Sequence, residues 1–473
     1  MKRAPGFAAL VLVSLLNGAA VFAASQAAPR TLRVDYYHTG NSHEEWFSMD
    51  RIVLEPLEWP GNPGKTIDES QLGNYLFEVR DRASGKLLYS RGFGSVFGEW
   101  KTTEEALHAN RTFSESLRFP NPEAPVVVSL KERGEGGFNA VWNEVWKTVV
   151  DPKDKFIDRS RPPSPGAVIA LQKMGDPATK VDLVVLGDGY TRAERGKFEQ
   201  DGRRFMEALF ATSPFREHRK DFNVWGLCPV AEESGVSRPS SGIYKRSPLG
   251  AGYDAFGSER YVLTTENRRL RDVASFAPYE FVEILVNGET YGGGGIFNQY
   301  ATVAIDNVWA GYVGVHEFGH HFAGLADEYY TSDVAYLPVE KKTEPWEPNV
   351  TALLDPASLK WKDMVETGTP VPTPWNKEQF DNFERDIQRQ RKELRAAGKA
   401  ESEMNELFRK EREKEDAVFG AEKYAGKVGA FEGANYEAKG YYRPELDCIM
   451  FTRYNKFCAV CRRAIERVIG MYT

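Results

Sequence analysis

Apolar and polar residues alternate in several short segments of the first third of the chain. The clearest segments are residues 31–37, 75–80 and 125–130. A period of two is typical of half-buried β-strands, and turn-rich stretches separate these segments. We therefore predict that residues 30–150 form an all-β sandwich. His38 and His43 have no carboxylate or third histidine nearby at ligand spacing, and we interpret them as surface or loop residues.

A different pattern follows residues 151–166, a charged and proline-rich segment that we predict to be a linker. Continuous apolar runs of strand length then alternate with amphipathic stretches, as in α/β domains. The runs lie at residues 181–186, 281–286 and 300–306. Thr191 and Glu194 form a capping box that opens a helix with Phe198 on its apolar face. We predict an α/β domain over residues 167–473.

Residues 376–420 are highly charged and rich in helix-forming residues. Their apolar positions recur at helical spacing on either side of Gly398: Phe380, Phe383, Ile387, Leu394, Met404 and Leu407. This pattern predicts a helical hairpin inserted into the α/β domain, with its charges on a solvated face.

The composition is that of an ordinary globular protein. The 473 residues are 41% hydrophobic and 27% charged, and the net charge of -7 argues against a nucleic-acid binder. Lys2 and Arg3 precede an apolar run that ends in small residues, which predicts a signal peptide at 1–23 and a secreted or periplasmic protein. An uncleaved membrane anchor is the alternative. We expect no membrane association after cleavage, and the oligomeric state stays open.

Three histidines within six residues carry the clearest chemical signal. His316 and His320 are four residues apart, so on a helix both imidazoles project from one face, as two ligands of one Zn²⁺ require. Glu317 follows the first of them and can act as general base toward water. Gly324 can end the helix in a left-handed turn, after which Asp327 and Glu328 offer carboxylates.

The sequence resembles the metzincin zinc peptidases and, within them, the bacterial IgA-specific metallo-endopeptidase family. The resemblance rests on residues 186–190, 291–295, 316–329, 440–444, 448–450 and 457–461. It implies peptidase activity and a methionine turn at Met450 beneath the metal. Gly324 lies eight positions after His316, where seven is usual, and Ala326 occupies the usual position of the third histidine.

We assign the third zinc ligand to Asp327 by this resemblance. In the usual pattern the third ligand follows the glycine by three positions, and Asp327 follows Gly324 by three. Carboxylate oxygen binds zinc, so an aspartate can replace the histidine. Glu328 is the rival, and only one of the two should face the metal because neighbours on an extended segment point in opposite directions.

Residues 300–306 are predicted to form a strand bordering the cleft, where an extended substrate could pair with it. A fully paired interior strand is the alternative. The glycines at 292–295 are not followed by the Gly-Lys-Ser/Thr of a phosphate loop, which excludes nucleotide binding. We interpret them as a flexible turn before the strand.

The four cysteines are Cys228, Cys448, Cys458 and Cys461. In an oxidising compartment disulfides are favoured, and we predict that Cys458 or Cys461 is oxidised, with Cys448 as a partner. A second, structural zinc on the four thiolates is the alternative.

These features predict a secreted zinc-dependent endopeptidase that cleaves proteins or peptides, with Glu317 as general base. Tyr442, or its neighbour Tyr441, is a candidate for stabilising the oxyanion because of its position near the methionine turn. The alternatives are a non-catalytic surface or binding protein whose zinc is structural, and a zinc amidase acting on cell-wall peptides.

Overall fold

The computed structural model describes Met1 and residues 28–332, 334–338 and 341–473. Apart from Met1, the predicted signal peptide at 1–23 lies outside the described residues. Within the described part of the chain, every helix is too short or too polar to cross a membrane.

The N-terminal part of the chain is rich in β-structure. Its strands are β1 (Arg30–Gly40), β2 (Glu45–Glu58), β3 (Tyr75–Asp81), β4 (Leu87–Phe93), β5 (Arg111–Pro120), β6 (Val126–Arg133) and β7 (Trp142–Val150). They form two antiparallel sheets, ordered β2-β1-β5 and β4-β3-β6-β7. Apolar side chains of both sheets, among them Val34, Phe119, Phe77 and Val128, share one buried core. A short helix, α1 (Val96–Trp100), follows β4.

His38 is buried in this region, so its interpretation as a surface or loop residue is wrong. It lies on β1, with Nδ1 3.2 Å from a Glu115 carboxylate oxygen and Nε2 3.3 Å from one of Glu45. Burial lowers the pKa of His38, but Glu115 and Glu45 outweigh it and raise the pKa above its ordinary value. A polar residue can face a core when other strands supply hydrogen-bonding partners for it. The sequence around the residue does not reveal such partners.

A six-stranded sheet organises the C-terminal part. Its strands are β8 (Ile169–Gln172), β9 (Val181–Asp188), β10 (Phe222–Leu227), β11 (Phe281–Val286), β12 (Gly293–Ile296) and β13 (Tyr300–Ala304). The order is β12-β13-β11-β9-β10-β8, with parallel pairing among the four inner strands and antiparallel pairing at both edges. Both faces of β9 are buried, because Leu183 and Val185 enter one core while Val184 and Leu186 enter another. This two-sided burial explains the continuous apolar runs.

Strand β13 is an interior strand, so the prediction that residues 300–306 offer a free edge to substrate is wrong. β11 pairs with one side of β13 and β12 with the other. Three of the four glycines interpreted as a flexible turn, Gly293, Gly294 and Gly295, instead belong to the edge strand β12. The missing side chains let β12 lie against a helix, where a Cβ atom on Gly295 would come within 2.3 Å of the carbonyl oxygen of Glu317.

The remaining elements of this part surround the sheet. The helices are α2 (Arg195–Ala211), α3 (Asn267–Ala274), α4 (Ala310–Ala323), α5 (Lys377–Ala396), α6 (Glu401–Gly420) and α7 (Ala459–Ile469). Helix α2 follows the predicted capping box of Thr191 and Glu194. Helices α5 and α6 pack on each other through Phe380, Met404 and neighbouring apolar residues. A two-stranded ribbon of β14 (Phe431–Ala434) and β15 (Glu437–Arg443) precedes α7.

Candidate active site

Helix α4 carries the two histidines of the HExxH segment on one side. The helix ends at Gly324, whose φ of 58° and ψ of 36° are left-handed. A Cβ atom on Gly324 would lie 2.6 Å from the ring of Trp346. Both the left-handed backbone conformation and the lack of space for a side chain therefore favour glycine at this position. The turn reverses the chain and returns Asp327 to the histidine pair.

Three donor atoms meet at this point. The Nε2 atoms of His316 and His320 are 3.1 Å apart, and Oδ1 of Asp327 lies 3.0 Å from the first and 3.3 Å from the second. Tetrahedral zinc with bonds of about 2.0–2.1 Å separates its nitrogen and oxygen ligands by about 3.3–3.4 Å. The triangle therefore has nearly the size of one face of such a coordination sphere.

The hydrogen bonds of the two histidines leave these atoms free to bind a cation. Nδ1 of His316 donates to the carbonyl oxygen of Ile449 at 2.8 Å, and Nδ1 of His320 donates to that of Leu325 at 2.5 Å. When both rings are neutral, the lone pairs of the two Nε2 atoms therefore face Oδ1 of Asp327. This oxygen is buried and accepts no hydrogen bond. Three converging lone pairs repel one another unless a cation or protons lie between them, so the donor set fits a metal ion.

The pKa values of the site show how strongly its groups interact. Burial raises the pKa of Asp327, but His320 and His316 outweigh it and hold that pKa well below its ordinary value. Burial lowers the pKa of His320, yet Asp327 and Glu317 raise it to about 9. Burial raises the pKa of Glu317 despite the opposing effect of both histidines. A carboxyl group with a raised pKa is suited to accept and return a proton.

Comparison with known families identifies the group to which the chain belongs. A family model described as IgA Peptidase M64 matches residues 169–469, and one described as Peptidase M64 N-terminus matches residues 24–143. The chain belongs to the IgA peptidase M64 family. It is therefore a peptidase, as the resemblance of its motifs implies. A comparison with curated proteins finds no match.

The third histidine of this peptidase's motif, His321, lies on a different side of α4 from the donor triangle and faces the sheet. Its Nδ1 donates to the carbonyl oxygen of Ile296, and its Nε2 accepts from the backbone N–H of Val282. Burial lowers the pKa of His321 to about 3, so the ring is neutral and joins the helix to the sheet.

Met450 and Glu328 lie behind the triangle in the peptidase. Met450 is fully buried, and a Cβ atom on Gly319 of α4 would come within 3.1 Å of its sulfur. The backbone N–H of Glu328 donates to the carbonyl oxygen of Met450 at 2.8 Å. The Glu328 side chain points away from the triangle, with Oε1 3.5 Å from the sulfur of Cys461. Asp327 and Glu328 thus face opposite sides of their segment.

Tyr442 is not among the residues that line the pocket around the triangle, so the structure lends no support to its assignment as an oxyanion residue. It lies on β15, where its backbone pairs with Thr351 on one side and Glu432 on the other. A different tyrosine reaches the site: the hydroxyl of Tyr436 donates to Oδ2 of Asp327 at 2.6 Å. Proximity to Met450 in sequence was the only signal for Tyr442, and the tight β14–β15 turn places Tyr436 at the site instead.

The pocket of this peptidase is a cavity of about 430 Å³ whose walls come from both parts of the chain. The α/β part contributes His316, Glu317, His320, Asp327, Tyr436 and two glycines of β12, Gly293 and Gly295, and the N-terminal part contributes Gly94, Gly98, Glu99 and Thr102. Glu99 accepts a hydrogen bond of 2.6 Å from the hydroxyl of Tyr336, which joins the two walls. The β-rich region therefore forms part of the wall of this cavity.

Proposed function

We propose that this peptidase is a secreted or periplasmic zinc-dependent endopeptidase. His316, His320 and Asp327 would hold Zn²⁺, and Glu317 would act as general base. The observation that carries the proposal is the triangle of donor atoms with sides of 3.0–3.3 Å. Three protein ligands leave a fourth position open, which is typical of catalytic zinc rather than structural zinc.

The bound metal would supply Lewis acidity, which makes water more acidic and polarises a peptide carbonyl. The residues around it orient the ligands and move the proton. Glu317 accepts a proton from the attacking water and delivers it to the leaving amine nitrogen. The position of Glu317 supports this role, because one of its carboxylate oxygens lies within 4.8 Å of nitrogens of both histidines.

Tyr436 would be a positioning residue in this scheme. Its hydroxyl binds Oδ2 of Asp327, which leaves Oδ1 directed at the two Nε2 atoms. The carbonyl oxygens of Ile449 and Leu325 orient the two imidazoles in the same way. Such hydrogen bonds fix the direction of each ligand before the metal binds.

The finer features of the resemblance belong to the same proposal. They are a metzincin-like fold with Met450 in the turn beneath the metal, helices α5 and α6 as an inserted hairpin, and secretion by the segment at 1–23. The substrate would be a protein or peptide, with no role for nucleic acid. A family name does not settle which protein is cleaved, so immunoglobulin is a candidate to be tested.

A panel of unfolded proteins, immunoglobulins and peptidoglycan peptides tests the proposal. We expect the zinc-loaded chain to cleave proteins, to lose activity with a chelator, and to regain it with zinc. Cleavage of peptidoglycan peptides alone would favour a cell-wall amidase, and no cleavage of any member would favour a non-catalytic zinc protein.

Glu317→Gln separates catalysis from metal binding. We expect it to abolish hydrolysis and retain zinc, because an amide cannot take the proton while the donor triangle is unchanged. Zinc content and turnover are measured on the same preparation. Substantial turnover by the zinc-loaded variant would show that Glu317 is not the base.

A further inference from the structure

A second group of potential metal ligands lies behind the catalytic triangle. Sulfur atoms of Cys448, Cys458 and Cys461 and a carboxylate oxygen of Glu328 all lie within 4.8 Å of one another. All four residues are at most 3% exposed. Cys228 lies elsewhere, beside Gly187 on β9, so a site built from four thiolates is excluded.

The distances in this group match metal coordination better than a disulfide. The sulfur atoms of Cys448 and Cys461 are 3.8 Å apart, whereas a disulfide bond is about 2.05 Å long. Tetrahedral zinc with bonds of about 2.3 Å to sulfur separates two thiolates by about 3.8 Å. The same tetrahedral geometry separates a thiolate sulfur from a carboxylate oxygen by about 3.6 Å. The distance between the sulfur of Cys461 and Oε1 of Glu328 is 3.5 Å, close to that value.

Backbone N–H groups already point at the sulfur atoms. The N–H of Cys458 donates to the sulfur of Cys448 at 3.3 Å, and the N–H of Cys461 donates to the sulfur of Cys458 at 3.4 Å. Cys458 is also the N-cap of α7, where the helix dipole favours negative charge. An N–H donor and a helix N-terminus interact more favourably with a thiolate than with a neutral thiol, and the thiolate is the form of cysteine that binds metals.

The number and type of groups also favour a metal. One disulfide among three cysteines would leave a buried thiol beside a buried carboxylate. Oε1 of Glu328 accepts from Asn349 at 2.9 Å, but Oε2 is buried without a hydrogen-bond partner. An unpaired buried carboxylate is costly, and a metal cation would compensate its charge.

We propose that Glu328, Cys448, Cys458 and Cys461 bind a second, structural Zn²⁺. Four protein ligands close the coordination sphere, and thiolate-rich tetrahedral sets select zinc. The proposal does not depend on the assignment of the catalytic metal.

The site would join three segments that lie next to the donor triangle. Glu328 follows Asp327 directly, and Cys448 precedes Ile449, whose carbonyl oxygen orients His316. Cys458 and Cys461 lie at the start of α7, which packs against α4. A metal bound here would hold Asp327 and Ile449 at fixed positions relative to the histidines, and so preorganise the active site.

Metal and thiol counts on the full-length chain test this proposal. We expect two zinc ions per wild-type chain, one for each group, and one zinc in the double variant His316→Ala/His320→Ala. Replacing the remaining zinc of that variant with cobalt should give thiolate-to-cobalt charge-transfer absorption. Under denaturing conditions with a chelator and no reductant, four free thiols are expected.

Two variants complete the design. Cys461→Ser should lose one zinc, whereas the matched control Cys228→Ser should keep both because its thiol is outside the group. If Cys461→Ser fails to fold, the counts on wild type and the histidine variant still decide. A wild type with one zinc that the histidine substitutions remove, or with two thiols missing to a disulfide, would overturn the proposal.

Discussion

A methyl group added at Gly295 would test how closely the edge strand β12 must approach helix α4. A Cβ atom there would lie 2.3 Å from the carbonyl oxygen of Glu317 and 3.0 Å from the Cβ atom of His320, whereas ordinary contacts begin at 3.4 Å. The closest neighbour is a backbone atom, which cannot rotate away. In Gly295→Ala, strand β12 and helix α4 must therefore separate by about 1 Å, as the difference between these distances shows.

Such a shift should affect both stability and activity. Forcing an extra methyl group into a packed interior costs about 1–3 kcal/mol. The displaced helix carries Glu317 and His320, and a misplacement of about 1 Å in a catalytic geometry can reduce the rate about 100-fold. We expect Gly295→Ala to lower the free energy of unfolding by an amount in that range and kcat/KM by about two orders of magnitude.

Chemical denaturation and peptide hydrolysis measure the two effects. Gly196→Ala is the matched control, because no heavy atom lies within 4 Å of a Cβ built at this exposed position of α2. Alanine is favoured over glycine in a helix by about 1 kcal/mol, so the control should be as stable as wild type or more so, with unchanged activity. If Gly295→Ala had the same stability and kcat/KM as wild type, the close approach of β12 to α4 would be refuted.

Three further outcomes are expected. Tyr436→Phe removes the hydrogen bond to Asp327 and should weaken zinc binding about 10- to 100-fold in a competition titration with a chelator; unchanged affinity would count against the positioning role. Tyr442→Phe, the matched control on the same ribbon, should leave affinity and kcat/KM unchanged because Tyr442 lies outside the pocket. Burial raises the pKa of Glu45, but His38 and Lys101 outweigh it and lower the pKa to about 2. A pKa lowered on folding stabilises the protein above the ordinary value of 4.5, and this contribution is lost as the pH falls from 4.5 to about 2. Denaturation of wild type and Glu45→Gln across this range should show a steeper loss in wild type, and parallel curves would contradict the ion-pair argument.

Strands, helices and caps that are determined by residues close together in the sequence could be predicted from it. The apolar runs at 181–186 and 281–286 form β9 and β11, and the capping box of Thr191 and Glu194 precedes α2. Helical spacing also placed His316 and His320 on one side of α4, because four residues make about one turn. These features need only local geometry and burial.

Contacts between distant segments could not be predicted in this way. An apolar run does not indicate which strands will flank it, and β13 is interior because the glycine strand β12 covers its other side. Tyr436 reaches Asp327 across 109 positions of sequence. The same holds for His38, whose partner Glu115 lies on another strand. A signal existed for β12: four consecutive glycines also allow close backbone packing.

Crystals of the full-length peptidase, measured at the zinc absorption edge, would test the catalytic assignment most directly. We predict an anomalous peak about 2.0–2.2 Å from Nε2 of His316, Nε2 of His320 and a carboxylate oxygen of Asp327, with the fourth position open to water. The assignment would be contradicted by a metal bound to the two histidines but not to Asp327. It would also be contradicted by a fourth protein ligand that fills the position open to water.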